Sequence, residues 1–487
     1  MDGYADTLLT VAQARANAGD SAGAEAVLRL MLGSRAYDPE VLYRLARLRR
    51  RQGDLDAATR LARAACELAP GDAACWELLG DVLCAQGDKA MAVQRYRQAL
   101  AIDPDRIDAR RSLGLLLIAA NHPGEAMAEF EHILRRQPAH VDVHIDLAAA
   151  MHRLRRYDDA QTTLRRALAI DPGSRRAATA LGYAQLQQGN FAAGWANHEA
   201  RLNAPDHPGH CFDGFPRWYG NDPAGRTLVL HSEQGIGDTL QFIRYAPLLA
   251  SRGARVIAAV QHGLAPLLVG QAGIHGLIVP GQDVPPFDMH CPILSLPLAF
   301  GTELATIPAH TPYLMAPADR VAAWRGRLDQ ATGPRIGLTV AGNPGHVDDH
   351  NRSVPLADFA ALLTHTGAEF HLVQTALRPA DQDALRRLPN LRDHSAALAD
   401  FADTAALLSH MDLVISVDTA VAHLAGALAL PTWLLLPFSA DWRWLGDDRT
   451  GSPWYPATRL FRQRAIGAWQ PVLRQVAEAL DRWIAHR

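Results

Sequence analysis

A carboxylate that follows two glycines is the first feature of this sequence able to do chemistry. Asp238 stands in the segment HSEQGIGDTLQFIRYAPLL, which predicts a strand, a tight turn and the start of a helix. Glycines in the turn let the backbone bend sharply and approach a ligand closely. A carboxylate at the helix start can accept a proton from an incoming hydroxyl, so Asp238 is the candidate general base. The candidate acceptor-side or loop residues around it are Glu233, Gln234, Gly235 and Gly237.

The same segment also has a purely structural interpretation. An Asp at a helix start can satisfy free N–H groups as an N-cap, a role that needs no catalysis. The full dinucleotide-binding pattern G-x-G-x-x-G is absent, because position 240 is Leu. The residues alone leave both interpretations of Asp238 open.

A second segment, LVISVDTAVAHLAGALALPTWLLLP, is typical of a strand that leads directly into a helix. The strand ends at Val417, and Asp418 and Thr419 begin the helix. The N–H groups and the dipole at such a start can hold a nucleotide diphosphate without a metal. His423 lies on the same side of the helix as Thr419, where it either reaches the ligand or has a structural role. The candidate donor-binding residues of this segment are Ser416, Asp418, Thr419, Ala420 and His423.

A third segment is the polar loop VAGNPGHVDDHNRSVPL, which follows another predicted strand. Asn343 and Arg352 are its candidate donor-binding residues, and Arg352 is the cation suited to a bound phosphate. Asp348 and Asp349 either join the site or lie in a solvated turn. The Asp-Asp-His run lacks a partner spacing typical of a metal site, so we expect no metal.

Strands and helices alternate from residue 225 onward, and these elements must position the three segments. Short apolar runs such as TLVLHSE, RVIAAV, RIGLTVAG and LVISVD are separated by longer amphipathic stretches. This pattern predicts parallel strands with crossover helices. It restarts after a Pro-rich connection near 307–317, so we expect two doubly wound domains, 225–317 and 318–487, the second closed by a C-terminal helix. Ligands bind parallel sheets at the carboxyl ends of the strands, which places the site between the domains.

The first half of the chain repeats with a constant period. Prolines stand at positions 70, 104, 138 and 172, an interval of 34 residues. In the same frame, small residues are expected where the two helices of a pair approach closely, namely Gly80, Gly114, Ala148 and Gly182. This period predicts a helix-turn-helix solenoid whose stacked pairs expose a long concave surface. We expect about six repeats over residues 5–202, then a linker at 203–224.

Both halves resemble known families. The repeat positions resemble the tetratricopeptide repeat, which implies a protein or peptide partner; alternatively, the repeats only dimerise the protein or cap the second half. GIGDTLQFIRYAPLL together with D-T-A-x-x-H-L-A-G-A resembles the bacterial heptosyltransferase-type glycosyltransferases (family 9-like). These are GT-B proteins of two Rossmann-like domains that use nucleotide-activated sugars. The layout is also similar to that of the protein O-linked N-acetylglucosamine transferases.

The family resemblance implies roles for individual residues. Asp238 matches the proposed base, and Asp418, Thr419 and Ala420 match the donor-phosphate motif. Arg352 stands near a family lysine or arginine, although the usual tryptophan does not follow it. The first domain would then hold the acceptor and the second the nucleotide sugar.

Composition excludes several other classes of protein. The 487 residues carry a net charge of -3 with 48% apolar and 20% charged residues, which argues against a disordered tail and a nucleic-acid binder. No apolar run approaches the roughly 18 to 20 residues of a membrane span, so we expect a cytoplasmic protein. Lys89 is the sole lysine, so a phosphate site must use arginine or backbone N–H groups.

The sequence thus predicts an α-solenoid of tetratricopeptide repeats followed by an α/β GT-B fold. The function that follows is a metal-independent, inverting glycosyltransferase that takes a nucleotide sugar as substrate and needs no cofactor. A catalytically silent repeat adaptor and a nucleotide-sugar epimerase are the two alternatives.

Overall fold

The chain forms two compact units. The computed structural model describes residues 2–34, 38–205, 207–328, 333–364 and 367–486. The first unit consists of Met1–Leu154 with Ala169–Asp171, and the second of Arg155–Leu168 with Pro172–Arg487. Among the described residues, no helix combines the length and apolar character that crossing a bilayer requires.

Paired antiparallel helices build the repeat region, as its period predicts. Its helices are α1 (Asp2–Asn17), α2 (Ser21–Ser34), α3 (Pro39–Arg51), α4 (Leu55–Leu68), α5 (Ala73–Ala85), α6 (Lys89–Ile102), α7 (Ile107–Ala119), α8 (Pro123–Arg136), α9 (Val141–Arg153), α10 (Tyr157–Ile170), α11 (Arg175–Gln187) and α12 (Phe191–His198). Within the first unit, neighbouring helices approach closely at glycines, because glycine has no Cβ. A Cβ on Gly80 would lie 2.8 Å from the Tyr96 ring, and one on Gly114 would lie 2.5 Å from the Phe130 ring. The close approach predicted at both glycines is therefore confirmed.

The turn inside each helix pair uses the left-handed backbone conformation. Gly19, Gly53, Gly87 and Gly189 occupy it with φ between 78° and 86°, and the same 34-residue frame contains Asn121 at 65° and Arg155 at 59°. Glycine adopts this conformation without steric cost, and asparagine tolerates it better than most residues. Arg155 is therefore an unfavourable residue at its turn.

The last helices of the repeat region belong to the second unit. Most of α10, together with α11 and α12, lies there. Trp195 of α12 is buried and packs edge-on against Trp442 at 5.2 Å between ring centroids and against Phe242 at 6.3 Å. The final repeat therefore shares its hydrophobic core with the α/β part of the chain.

Two parallel sheets follow in the second unit. The first contains β1 (Thr227–His231), β2 (Arg255–Ala259), β3 (Gly276–Ile278) and β4 (Met289–Pro292) in the order β3-β2-β1-β4. The second contains β5 (Arg335–Thr339), β6 (Glu369–Leu372), β7 (Leu391–Asp393), β8 (Leu413–Val417), β9 (Thr432–Leu436) and β10 (Thr458–Arg462) in the order β10-β9-β8-β5-β6-β7. Counted from its own first strand, the second sheet has the doubly wound order 3-2-1-4-5-6. The GT-B architecture of two Rossmann-like domains is thereby confirmed.

Helices connect the strands on both sides of the sheets. They are α13 (Ile236–Phe242), α14 (Ala246–Ser251), α15 (Ala265–Leu268), α16 (Leu296–Ala299), α17 (Ala318–Arg327), α18 (Asp349–Arg352), α19 (Pro379–Leu385), α20 (Phe401–Leu408), α21 (Ala420–Ala427) and α22 (Trp469–Ala485). The helical segment that follows β1 is not continuous. A 3₁₀ turn at Ile243–Tyr245 interrupts it, and Pro247 stands in the first turn of the new helix α14.

The order of the second sheet reverses between β5 and β8, which are hydrogen-bonded neighbours. In the first sheet the corresponding pair is β1 and β4. Loops diverge at such a switch point and leave a crevice at the carboxyl ends of the strands. The three chemically promising segments leave β1, β5 and β8 at these ends.

Enlarging Gly114 tests the packing of the repeats. Gly114→Val forces methyl groups into the Phe130 ring, so we expect a loss of about 1 to 3 kcal/mol in the free energy of unfolding of the first unit. Gly124→Val is the matched control, because a Cβ there meets nothing within 4 Å. Denaturant unfolding followed by helical circular dichroism measures both. Equal midpoints for the two variants would contradict the packing described here.

Candidate active site

Two helices that follow strands of different sheets contact each other within the second unit. α13 follows β1 and α21 follows β8, and the two helices contact each other. A Cβ on Gly237 would lie 2.9 Å from Cδ2 of His423 and 3.7 Å from the Cα of Ala420. The structure therefore brings the turn that carries Asp238 against the helix that follows Asp418.

Asp238 lies in the first turn of α13, and Gly235 is the N-cap residue of that helix. The Asp238 side chain is 15% exposed and forms an ion pair with Arg443. Burial raises the pKa of this carboxyl above its usual value, although the positive charge of Arg443 opposes the shift. A carboxylate with a raised pKa is a better proton acceptor than a free aspartate. Asp238 is not itself the N-cap residue, since Gly235 holds that position, but its carboxylate accepts a hydrogen bond from the backbone N–H of Gly235, so a structural role at the helix start stands beside the catalytic one.

Arg443 has a second carboxylate partner and a rigid setting. Its Nη1 donates to Oδ1 of Asp441 at 2.8 Å, and its Nε donates to Oε1 of Gln241 at 2.6 Å. Its guanidinium also stacks on the Trp442 ring, 4.2 Å from the centroid. These contacts fix the guanidinium group that faces Asp238.

The sequence did not predict the pairing of Arg443 with Asp238. The two tryptophans beside Arg443 are able either to stack on a ligand or to pack inside the protein. Trp442 and Trp444 are 3% and 0% exposed, which favours packing. The signal that could have identified Asp441 and Arg443 is their place after β9, the strand next to β8.

The second helix start carries the predicted donor motif. Thr419 is the N-cap residue of α21 and Ala420 its first residue, so the helix begins after Asp418 and not at Asp418, where the sequence had predicted its start. Asp418 precedes them, and its pKa is raised to about 6 by burial and by the charge of Asp441, while Arg352 opposes the rise. Ser416 is fully buried in β8 and donates its hydroxyl to the carbonyl of Val417, so it supports the strand end.

His423 is held in place by aromatic neighbours. Its Nδ1 lies 2.9 Å from the Tyr455 hydroxyl, and its ring stacks on Trp444 at 5.3 Å between centroids. Burial, with the positive charges of Arg443 and Arg244, keeps its pKa well below the usual range. The imidazole is therefore neutral, and its side chain shapes the contact between α13 and α21.

The two predicted residues of the loop after β5 differ in their exposure to solvent. Asn343 is exposed, and its side-chain oxygen accepts from the backbone N–H of Gly345. The Arg352 guanidinium is 19% exposed and packs against Gly342, where a Cβ would collide with it. Its Nε lies 3.6 Å from the Asp349 carboxylate, and its charge also opposes the rise in the pKa of Asp418.

Asp349 does not lie in a solvated turn. It is 5% exposed, accepts from the Ser353 hydroxyl at 2.8 Å and forms an ion pair with Arg378. Among the described residues, no group of three or more His, Cys, Asp and Glu side chains is arranged to hold a metal ion.

Glu233 lies in the loop before α13, where its carboxylate is completely buried. Arg201 donates to both of its oxygens at 2.8 and 2.9 Å, His207 Nε2 lies 2.9 Å away, and the backbone N–H of Leu294 donates at 3.1 Å. Burial acts to raise the pKa of Glu233, but these hydrogen bonds and the Arg201 charge lower it to about 2. The carboxylate therefore anchors the loop, while the neighbouring Gln234 is exposed.

Family comparisons agree with this division of the chain. Residues 39–82 and 117–182 match tetratricopeptide repeat families, and residues 80–119 match a TPR repeat family. Residues 355–435 match glycosyltransferase family 9 (heptosyltransferase). The chain joins tetratricopeptide repeats to a glycosyltransferase family 9 region. The matched part of family 9 contains Asp418, Thr419, Ala420 and His423, whereas Asp238, Arg352 and Arg443 lie outside it.

Similar proteins were found along both the whole chain and its repeats. Protein FlbA of Caulobacter vibrioides is 24% identical over 568 residues, which cover 95% of this chain and 94% of FlbA. YrrB, a TPR protein whose structure is described as having an unusual peptide-binding site, is 17% identical with a TM-score of 0.33, covering 37% of this chain and 93% of its own. PilF of Pseudomonas aeruginosa is 19% identical with a TM-score of 0.38, covering 42% of this chain and 94% of its own.

Replacing Glu233 tests the buried anchor of this glycosyltransferase region. Glu233→Gln removes one of the two carboxylates that pair with buried Arg201 and leaves it with Glu199, so we expect a loss of about 3 kcal/mol near neutral pH. A depressed pKa stabilises the fold above the unfolded value of 4.5, and this stabilisation is lost as the pH falls towards 2. The difference from wild type should therefore shrink across that window.

Denaturant unfolding at several pH values measures this difference. Glu478→Gln, at an exposed position of α22, is the control and should follow wild type. A difference between wild type and Glu233→Gln that does not change between pH 5 and pH 2 would contradict the assignment.

Proposed function

We propose that the protein is a metal-independent, inverting glycosyltransferase that moves a sugar from a nucleotide sugar to an acceptor hydroxyl. The observation that carries the proposal is the contact between α13 and α21 at Gly237, which sets Asp238 beside the donor motif Asp418-Thr419-Ala420. The match to glycosyltransferase family 9 supports the same reaction class. No cofactor or metal takes part in the proposed reaction.

In the proposed reaction, Asp238 accepts the proton of the acceptor hydroxyl. The oxygen then attacks the anomeric carbon in line with the departing diphosphate, which inverts the configuration. The raised pKa of Asp238 supports this role, because a base with higher affinity for the proton assists attack more strongly.

The leaving diphosphate would be stabilised by the start of α21 and by Arg352. The first N–H groups of a helix have no partner within the helix, and its dipole places positive charge there. Arg352 adds a guanidinium group on the same side. Groups aimed at charge that develops in the transition state lower the barrier without reorganising.

The charge state of Asp418 affects whether the proposed donor site can accept a diphosphate. A charged carboxylate would repel the phosphates, but a pKa of about 6 makes its neutral form accessible near physiological pH. The repeats would present the acceptor, a protein or peptide, since tetratricopeptide repeats are protein-binding modules.

Replacing the proposed base is the direct test. Asp238→Asn keeps the size of the side chain but cannot accept the proton, so we expect transfer to fall by about 10²- to 10⁴-fold. Purified full-length protein is assayed with a panel of nucleotide sugars and candidate protein acceptors. Asp319→Asn, an exposed carboxylate in the first turn of α17, is the control and should retain wild-type turnover. Undiminished transfer by Asp238→Asn rules out this base.

Replacing Arg352 tests the donor site. Arg352→Met removes the charge but keeps the length, so we expect the Kd for a nucleotide sugar to rise by about 10-fold or more. Arg464→Met, at an exposed position, is the control. Calorimetry measures both. Absence of nucleotide-sugar binding by wild type at millimolar concentration favours the adaptor, whereas isomerised sugar released without acceptor favours the epimerase.

A further inference from the structure

One loop joins the repeat helices to the proposed base. It spans residues 441–448, follows β9 and carries Arg443, and we call it the arginine loop. On one side, Arg443 bonds Asp238 and Gln241, which both belong to α13. The loop thus contacts the first turns of the helix that positions the base.

Repeat helices hold the other side of the arginine loop. The Arg155 guanidinium donates to the carbonyl of Gly446 at 2.6 Å and to the Asp448 carboxylate at 3.1 Å. The backbone N–H of Gly446 donates to the carbonyl of Gln187, at the end of α11, at 2.7 Å. Gly446 also lies against the Tyr157 ring so closely that a Cβ would collide with it. The turn before α10, together with helices α10 and α11, therefore fixes the loop by hydrogen bonds and by packing.

The backbone of Arg155 shows that this contact departs from the ordinary repeat. Four of the six positions in its turn frame are glycine, whereas Arg155 adopts a φ of 59° with a large side chain. A left-handed conformation costs a non-glycine residue about 1 to 2 kcal/mol. The turn alone gives no reason for arginine, but the bonds to Gly446 and Asp448 do.

We propose that Arg443 is a positioning residue for Asp238, and that the last two repeats hold Arg443 in place through the arginine loop. This inference rests on the proposed function, because it assigns Asp238 the role of base. The repeats are then part of the catalytic unit as well as a surface for a partner. A displacement of about 1 Å at a reacting group can lower the rate by about 10²-fold, so a fixed guanidinium matters.

Several charged and titratable groups face Asp238 and decide its pH response. Arg443 and Asp441 come from the arginine loop, Glu233 from the preceding loop, Tyr183 from α11 and His423 from α21. Glu233 stays ionised and His423 stays neutral in the working range. Loss of the Arg443 charge removes the main opposition to the raised pKa of Asp238. The acid limb of the rate profile must then move to higher pH.

The first experiment changes Arg443 in the full-length chain. Arg443→Met should lower kcat by about 10- to 100-fold and move the acid limb of kcat/KM upward by about 1 pH unit or more. Arg443→Lys retains the charge and should restore the wild-type limb in part. A Met variant with the wild-type pH profile would overturn the inference.

The second experiment changes Arg155. Arg155→Gly supplies the glycine that the other turns have, so the repeat should stay folded with an unchanged or higher Tm. We expect kcat to fall by about 10-fold while the donor KM stays within about 2-fold. Asn121→Gly, at the equivalent turn of the first unit, is the matched control and should retain wild-type kcat. Equal kcat for the two glycine variants overturns the inference.

Amide hydrogen exchange separates this inference from the proposed function. Exchange in residues 236–242 should speed up in Arg443→Met and in Arg155→Gly but not in Asn121→Gly. Unchanged exchange in the first two variants overturns the positioning role, whatever the activity. A different outcome is faster exchange in these two variants together with undiminished transfer by Asp238→Asn. That outcome overturns the proposed base but still supports the link between the repeats and α13.

Discussion

The close approach of α13 to α21 is the constraint on which the site depends. The two helices touch where Gly237 faces His423, and there is no room for a Cβ at position 237. His423 cannot withdraw, because Tyr455 bonds its Nδ1 and Trp444 stacks on its ring. The distance between the proposed base and the donor motif is therefore set by a glycine on one helix and an immobilised imidazole on the other. Any larger residue at position 237 would separate the two halves of the proposed reaction.

Burial and the nearby charges together explain the direction of the pKa shifts at this contact. Asp238, Asp418 and Asp441 share the region with two guanidinium groups, those of Arg352 and Arg443. Burial raises the pKa values of Asp238 and Asp418, and the nearby charge of Asp441 adds to the rise, even though each has a cation nearby. A diphosphate would add further negative charge, which favours the neutral form of Asp418 and increases the importance of the α21 N-terminus. Arg443 is engaged by Asp238 and Arg352 lies 3.6 Å from the Asp349 carboxylate, so both cations that act on Asp418 already have carboxylate partners.

The sequence predicted the elements and the two helix starts because those features are local. A period of 34 residues, apolar runs and a strand followed by Asp-Thr-Ala can all be recognised without knowing the fold. Short or charged strands could not be recognised in this way: β7 has three residues, and β10 alternates arginine with apolar residues in TRLFR. The pairing of Arg443 with Asp238 joins residues 205 positions apart. Only the packing of the two domains brings such residues together. Their spacing along the chain does not indicate that they are in contact.

The structure agrees in part with the alternative that the repeats cap the second half of the chain. A solenoid repeat ordinarily contacts only its neighbouring repeats, which makes the array separable from a domain that follows it. Here Trp195 of the last repeat lies in the aromatic core with Phe242 and Trp442, and Glu233 is buried against Arg201, just beyond α12. The segment predicted as the final repeat thus supplies both apolar packing and a buried counter-charge to the transferase region. Removing it would expose tryptophan surface and leave Glu233 without its arginine, so the structural boundary of the catalytic unit lies inside the repeats.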